Sequence, residues 1–473
     1  MRSAVLSKKI VIIGGGPGGY EAALMASKYG ADITIVEDSG AGGSAIREDV
    51  VPSKSFIAGA NIKNDLRRAD DMGLSHALGD SKLSLLALND RVKVLAGKQS
   101  DDIRAQLEQG GVRFIEGRAR FADEQKGHTT HNIEVETSDG STETLTCNMV
   151  LVSVGASPRV LKGAEPDGER ILNWRQMYDL KDLPTHLIVV GSGVTGAEFV
   201  SAFAELGVKV TMVASRDRIL PHDDADAADV LEDVLADRGV QLEKHARVER
   251  VENTGEGVVV HTTDGRAIEG SHVMMSIGSI PNTADLNLEA AGVEVTPSGH
   301  IHVDRVSRTN VAGIYAAGDC TDLMPLASVA AQQGRIAVDH ALGEGVTPIR
   351  LKTVGNAVFT RPEIAAVGVT EQQIRDGEVD ADIYKLPLAT NPRAKMRSLQ
   401  YGFVKIFARK GSGQVLGGVI VAPTASELIL SVTIAVANNL TVRQLAGSMA
   451  VYPSLSGSIT EAARRLVTNT DLD

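Results

Sequence analysis

Cysteine is almost absent: Cys147 and Cys320 are the only two in 473 residues. Two thiols cannot build a disulfide framework, which fits a reducing compartment. Aromatic residues make up 3 % of the chain, too few for stacking platforms that grip sugars or single-stranded nucleic acid. Positive charge is in deficit, with 48 Lys and Arg against 60 Asp and Glu and a formal charge of −12. Neither nucleic acid nor an anionic membrane is therefore an expected partner. No apolar run approaches the ~18 residues of a membrane helix, so no membrane insertion is expected. Lys8-Lys9 before Ile10–Ile13 has the outline of a signal peptide. The apolar run stops after four residues in glycines, and the expected location is cytoplasmic.

Glycine, by contrast, is abundant, with 48 residues in a chain that is 43 % apolar. Such a chain can fill large cores and turn tightly, and its length suggests about three domains at ~150 residues each. The first informative segment is Ile10-Val11-Ile12-Ile13 followed by Gly14, Gly16 and Gly19. The β-branched run predicts a buried parallel strand, and Tyr20–Tyr29 the start of a helix. In a G-x-G-x-x-G turn the first glycine permits the bend and the second lets the backbone approach a pyrophosphate. The third lets helix and strand pack closely, while the helix N-terminus faces the phosphate charge. A second strand, Ile33–Val36, ends in Glu37, whose carboxylate can accept hydrogen bonds from a ribose.

The pattern recurs. Leu187–Val190 leads into Gly191, Gly193, Val194 and Gly196, a helix from Ala197, and a strand over Val208–Val213. Glu37 follows Gly14 by 23 residues and Ala214 follows Gly191 by 23, so an alanine stands where the first unit has its acid. Glu21 and Glu198 also correspond, each two residues beyond the last glycine. The repeat implies two dinucleotide sites. An acid repels a 2′-phosphate and a guanidinium binds it, so Ser215 and Arg216 beside Ala214 point to NADPH at the second site, with NADH the alternative.

Further segments carry a family resemblance. Val152-Ser153-Val154-Gly155 and Ile277-Gly278-Ser279-Ile280-Pro281-Asn282 close the two lobes. Thr309-Asn310 through Ala317-Gly318-Asp319 is similar to a second FAD-binding signature, and Phe359-Thr360-Arg361-Pro362-Glu363 opens a segment similar to a dimerisation domain. Over nearly its whole length the sequence resembles the flavin-dependent pyridine nucleotide–disulfide oxidoreductases, the group of dihydrolipoamide dehydrogenase and glutathione reductase. The resemblance implies an α/β fold with two Rossmann-like dinucleotide-binding domains and an α+β C-terminal dimerisation domain. Residues 1–155 and 284–350 would bind FAD, 156–283 would bind NAD(P)H, and 351–473 would pair two chains into a homodimer. Phe121–Leu151, alternating and turning at Asp139-Gly140, predicts a small antiparallel meander. By the resemblance, Gly14, Gly16, Gly19, Glu37, Ser44, Gly117, Gly155, Asp319 and Ala327 would contact FAD. Lys54 would sit beside the flavin, pair with Glu198 and stabilise electron density on the reduced ring. Gly191, Gly193, Val194, Gly196, Glu198, Val248 and Gly278, with Ser215 and Arg216, would hold the nicotinamide dinucleotide.

The family's disulfide chemistry is missing. Its redox cysteines are spaced C-x-x-x-x-C just before Pro-Ser-Lys, and here those positions hold Ala45 and Val50. Neither can form a thiolate or exchange disulfides. Cys147, expected at a strand end, and Cys320, expected as a packed thiol, are out of register. The family's histidine before proline is Tyr452, and its partnering glutamate is Gly457. A tyrosine titrating near pH ~10 cannot shuttle protons as an imidazole does.

Electrons would therefore pass from NAD(P)H through FAD directly to a small acceptor that needs no covalent adduct, which a quinone satisfies. The rival readings are a soluble pyridine-nucleotide transhydrogenase and a catalytically silent flavin-binding paralogue. Arg47 is a candidate to polarise a quinone oxygen or else a solvated guanidinium. Tyr452 is a candidate for the acceptor pocket or else an interface residue. His128–His131 is too sparse for a metal and is expected as a solvated loop, so no metal is assigned. Leu428–Ala437 is expected as a buried interface-domain helix, and Glu461–Val467 as the last helix.

Overall fold

The computed structural model describes residues 8–67, 69, 73, 83–123 and 130–467. Strand β1 (Lys9–Ile13) lies in the middle of a seven-stranded sheet, and Ile10–Ile13 are each at most 4 % exposed. β-Branched side chains on both faces suit a strand covered from both sides. On one side it pairs in parallel with β2 (Asp32–Glu37), which pairs with β3 (Arg113–Phe121). On the other it pairs with β6 (Met149–Val152), which pairs with Ile314–Ala316. The edge beyond β3 is antiparallel, formed by β4 (His131–Thr137) and β5 (Thr142–Cys147). This is the meander, with Cys147 buried at the end of β5.

The second glycine turn follows strand His186–Val190 in a five-stranded parallel sheet. Its order is Ile171–Asn173, His272–Met275, His186–Val190, Lys209–Val213, Gln241–Glu243. In the first sheet β6, β1, β2 and β3 repeat the order of the last four of these strands, whereas the fifth strand, Ile314–Ala316, comes last in its unit and its counterpart Ile171–Asn173 comes first. Each sheet is accompanied by a three-stranded antiparallel element, here Val248–Asn253, Val258–Thr262 and Ala267–Gly270. The repeat read from glycine spacing is thus a repeat of four parallel strands and an antiparallel element.

Residues 356–422 supply a five-stranded antiparallel sheet. Phe403, Phe407 and Val421 on one face join a core with Phe199 and Phe203. The opposite face, with Val404, Ile406 and Ile420, packs on Ile429, Val432, Leu445 and Ile459 from three C-terminal helices.

Several elements depart from the sequence reading. Helix α1 spans Pro17–Ser27, starting before Tyr20, because Gly18 and Gly19 are its buried first turn. The last helix runs Gly457–Leu466, so Gly457 begins it. Helix Ala425–Ala437 is buried along one side only, with Leu430 59 % and Ile434 49 % exposed. His131 is not on a solvated loop: it is 2 % exposed on β4, with its Nε2 3.0 Å from the carbonyl of Ala312. His128 and Thr129 lie outside the described residues. Among the described residues no helix is long and apolar enough to cross a membrane.

The antiparallel sheet is locked to the second nucleotide unit by Lys405, whose side chain is 1 % exposed. Its ammonium meets Asp224 at 2.9 Å, Asp226 at 2.7 Å and Glu371. Those three carboxylates lie close enough to hold a metal, but the ammonium occupies the space among them. Burial alone would lower the Lys405 pKa, yet the hydrogen bonds it donates to Asp226, Glu371 and Asp224 raise it. Lys405→Met would strand three carboxylates around an apolar side chain, a loss of about 3–5 kcal/mol by analogy with broken buried ion pairs. The expected readout is a melting temperature clearly below wild type in a thermal scan at neutral pH.

Candidate active site

Both glycine turns are built by the same two collisions that any side chain would cause. Gly14 has φ +100°, and a Cβ there would lie 2.3 Å from the carbonyl oxygen of Ser153. Gly191 has φ +112°, and its Cβ would lie 2.2 Å from that of Ser276. At Gly19 and Gly196 a Cβ would come within 2.0 Å of the carbonyl oxygens of Gly14 and Gly191. Gly16 and Gly193 differ: nothing lies within 4 Å of a Cβ at either one. These two cap α1 and α5 (Val194–Glu205) with no side-chain hydrogen bond, leaving each helix N-terminus open. The first and third glycines are required by the fold, and the middle one faces space that a ligand can use.

In the first unit that space is a cavity of about 1080 Å³. It is lined by Gly14, Gly16, Glu37, Ser44, Gly117, Gly155, Asp319 and Ala327, which the structure therefore brings together. Gly19 lies behind the wall, packed on Gly14. Glu37 is 8 % exposed and anchored: Oε2 accepts from Gly15 N at 2.6 Å, and Oε1 from Ser39 N at 2.8 Å and Ser39 Oγ at 2.6 Å. Burial raises the pKa of Asp319.

Ala45 and Val50 both line the same cavity, so the two positions without thiols face it. Between them Glu48 and Asp49 also reach the wall, together with Trp174 and Arg175 from a distant segment. Arg175 Nε is 3.0 Å from Glu48 Oε2. Sequence reasoning missed Asp49, Trp174 and Arg175, because no local motif marks them. Arg47 is absent from the lining: its guanidinium lies over Gly40 and 3.4 Å from Ser100 Oγ. It occurs on α2 (Gly43–Arg47), where Ser44, Ala45 and the following Glu48 face the cavity. At 100° per residue, Arg47 points about 200° away from Ala45. Of the two readings of Arg47, the structure shows the exposed guanidinium and not one that faces the cavity.

Lys54 and Glu198 meet as a 2.8 Å ion pair, with side chains 28 % and 4 % exposed. The lysine stands one turn into α3 (Val50–Arg67), 4.8 Å from the centre of the Phe359 ring, and Glu198 Oε1 also accepts from Phe359 N at 2.9 Å. The remaining thiols offer no substitute. Cys147 and Cys320 are buried, and burial pushes both up to about 12.

In the second unit Gly191, Gly193, Val194 and Gly196 form the turn and the start of α5. Ala214 is 2 % exposed at the end of its strand, and Ser215 and Arg216 follow on the surface. The Arg216 carbonyl accepts from His245 N at 3.1 Å. Val248 opens the antiparallel element and Gly278 adopts φ +93°. Tyr452 joins neither site in its own chain: it is 82 % exposed, next to Val451 at 78 % and near Met449 at 101 %.

Residues 8–334 match the pyridine nucleotide-disulphide oxidoreductase family, and residues 354–463 match its dimerisation domain. The chain belongs to this family. It is 58 % identical over 468 residues to a Mycobacterium tuberculosis (strain H37Rv) protein named NAD(P)H dehydrogenase (quinone), covering 98 % of this chain and 95 % of that one. A dihydrolipoyl dehydrogenase of Bacillus subtilis (strain 168) is 31 % identical, over 96 % of this chain and 97 % of its own. Among solved structures, LpdA from M. tuberculosis superposes with a TM-score of 0.93 at 57 % identity, covering 98 % of this chain and all of that one. The HOCl-induced flavoprotein disulfide reductase RclA from Escherichia coli gives 0.85 at 26 %, over 96 % and 99 %. The family's cofactors are FAD and NAD(P)H.

The two glycine roles separate by substitution. Gly16→Ala should fold normally and lose FAD affinity at least tenfold, whereas Gly19→Ala should not yield a native fold. Far-UV circular dichroism together with the visible flavin absorbance of the purified proteins distinguishes the two outcomes.

Proposed function

We propose that this oxidoreductase is an FAD-dependent NAD(P)H:quinone oxidoreductase, working as a homodimer without a disulfide relay. The observation that carries the reading is the cavity wall, where Ala45 and Val50 stand at the positions expected to hold thiols; behind it, outside the lining, the Lys54–Glu198 pair is complete. The M. tuberculosis relative's name supports a quinone as acceptor.

The residues present fit FAD. The open space at Gly16 admits a pyrophosphate, Glu37 keeps lone pairs free for the ribose, and Asp319 faces the remainder of the cavity. Gly14, Gly19, Ser44, Gly117, Gly155 and Ala327 would complete that site, within residues 1–155 and 284–350. Bound FAD supplies two-electron acceptance from the nicotinamide and release to a small acceptor. Lys54 would hold a fixed positive charge beside it, oriented by Glu198. In residues 156–283, Gly191, Gly193, Val194, Gly196, Val248 and Gly278 would hold NADPH. Arg216 and Ser215 are exposed where a 2′-phosphate would lie, and buried Ala214 carries no acid to repel it. The acceptor would enter over Ala45 and Val50, whose small apolar side chains leave room that a disulfide would fill.

The dimerisation domain leaves Met449, Val451 and Tyr452 exposed as an apolar surface. Covered by a second copy, this segment is where Tyr452 would border an acceptor pocket.

The test is an anaerobic steady-state assay with NADPH and either menadione or thio-NAD. Menadione should be reduced the faster, and with NADPH preferred to NADH. Faster reduction of thio-NAD would replace this reading with transhydrogenation, and no flavin bleaching by NADPH would leave a silent flavoprotein.

A further inference from the structure

Reduction of a quinone by NAD(P)H consumes one proton beyond the hydride, and the family's histidine–glutamate pair is not present to supply it. Asp49 is placed for that task. It lies at the start of α3 between the two thiol-less positions, with its backbone N–H on Ser44 O at 2.9 Å and its carbonyl accepting from Ser53 N at 2.7 Å. Its side chain lines the cavity with Ala45 and Val50, and among the described residues its carboxyl accepts no hydrogen bond. A carboxylate at a helix start ordinarily caps backbone N–H groups; this one makes no such bond and belongs to the cavity wall.

We propose that Asp49 is the proton donor to the quinone oxygen, an assignment that rests on the quinone reading above. The acceptor gains a hydride equivalent from NAD(P)H and becomes a hydroquinone monoanion. The Asp49 O–H bond then breaks as the second hydroquinone O–H bond forms, and the carboxylate regains its proton from water. The balance is NAD(P)H plus quinone plus one proton, giving NAD(P)⁺ and hydroquinone.

The surroundings suit an acid that is kept partly protonated. Burial pushes the Asp49 carboxyl up to about 6, against the pull of Lys54 and with the push of Glu198 and Asp319, while Arg175 acts weakly the other way. Tyr178 lies on the same side, its hydroxyl buried without a well-formed hydrogen bond and its pKa raised by burial and then by the charges of Asp49 and Glu198. Glu48, the neighbouring acid, is engaged by Arg175 instead. An acid near 6 is matched to neutral working conditions, where general acids contribute ~10²–10⁴-fold.

Ferricyanide separates the steps, because it takes electrons without a proton. In holoenzyme carrying Asp49→Asn, menadione turnover at pH 6 should fall about 100-fold relative to ferricyanide turnover. Wild-type menadione turnover should decline as pH rises through the titration of Asp49, a limb absent from the variant, and Asp49→Glu should restore part of the rate. Independently of turnover, a carboxylic C=O infrared band that titrates near pH 6 in wild-type holoenzyme should be missing from Asp49→Asn. Equal losses with both acceptors, unchanged menadione turnover, or persistence of the band in the variant would overturn the assignment. A wild-type enzyme that reduces ferricyanide but not menadione would overturn the quinone reading itself, and the donor role with it.

Discussion

One carboxylate ties the three parts of the molecule together. Glu198, on the helix that follows the second glycine turn, accepts from Lys54 of the first unit at 2.8 Å and from the Phe359 backbone of the dimerisation domain at 2.9 Å. A side chain 4 % exposed can remain charged only with such partners, since removing either leaves a buried charge without compensation. Its contribution to net stability is therefore small beside its role in positioning: it fixes where the lysine ammonium stands relative to the cavity. Lys405 performs a related task on the outer side, where burial among three carboxylates holds the antiparallel sheet to the second unit.

Around that junction the two nucleotide units are one design used twice. The same order of four parallel strands, the same positive-φ glycine against a serine carbonyl, and the same close approach of the third glycine recur. They diverge in the edge strand and at the position after the second strand, where the ligands would differ. Glu37 is hydrogen-bonded and half committed to its own loop, whereas its counterpart Ala214 is buried and followed by an exposed arginine. The positions that the family resemblance assigns to thiols hold Ala45 and Val50, and burial pushes the two cysteines present up to about 12.

Much of this was legible in the sequence, because glycine spacing, strand-ending acids and missing cysteines are local signals. The strands and both turns follow from β-branched runs and from glycines of which the first and third in each turn leave no room for a side chain. What the sequence did not disclose depends on contacts between distant segments. Arg175 reaches the cavity from a 3₁₀ helix more than a hundred residues beyond Glu48, and Lys405 finds carboxylates 181 and 34 residues away. Arg47 stays open between two roles in the sequence, because its distance from Ala45 along the chain says nothing about its direction until the helix is laid down. His131 was misread as solvated because it is the first residue of its strand and its burial comes from Ala312 and Gly313, far along the chain.

The central claim is that electrons leave this protein without passing through sulfur. It is tested most directly by reducing the holoenzyme with one equivalent of NADPH under anaerobic conditions and then mixing it rapidly with menadione or with lipoamide. The account predicts fast return of the oxidised flavin spectrum with menadione and none with lipoamide. Reoxidation by lipoamide at a comparable rate would contradict it, since it would require a disulfide route that Ala45 and Val50 cannot provide.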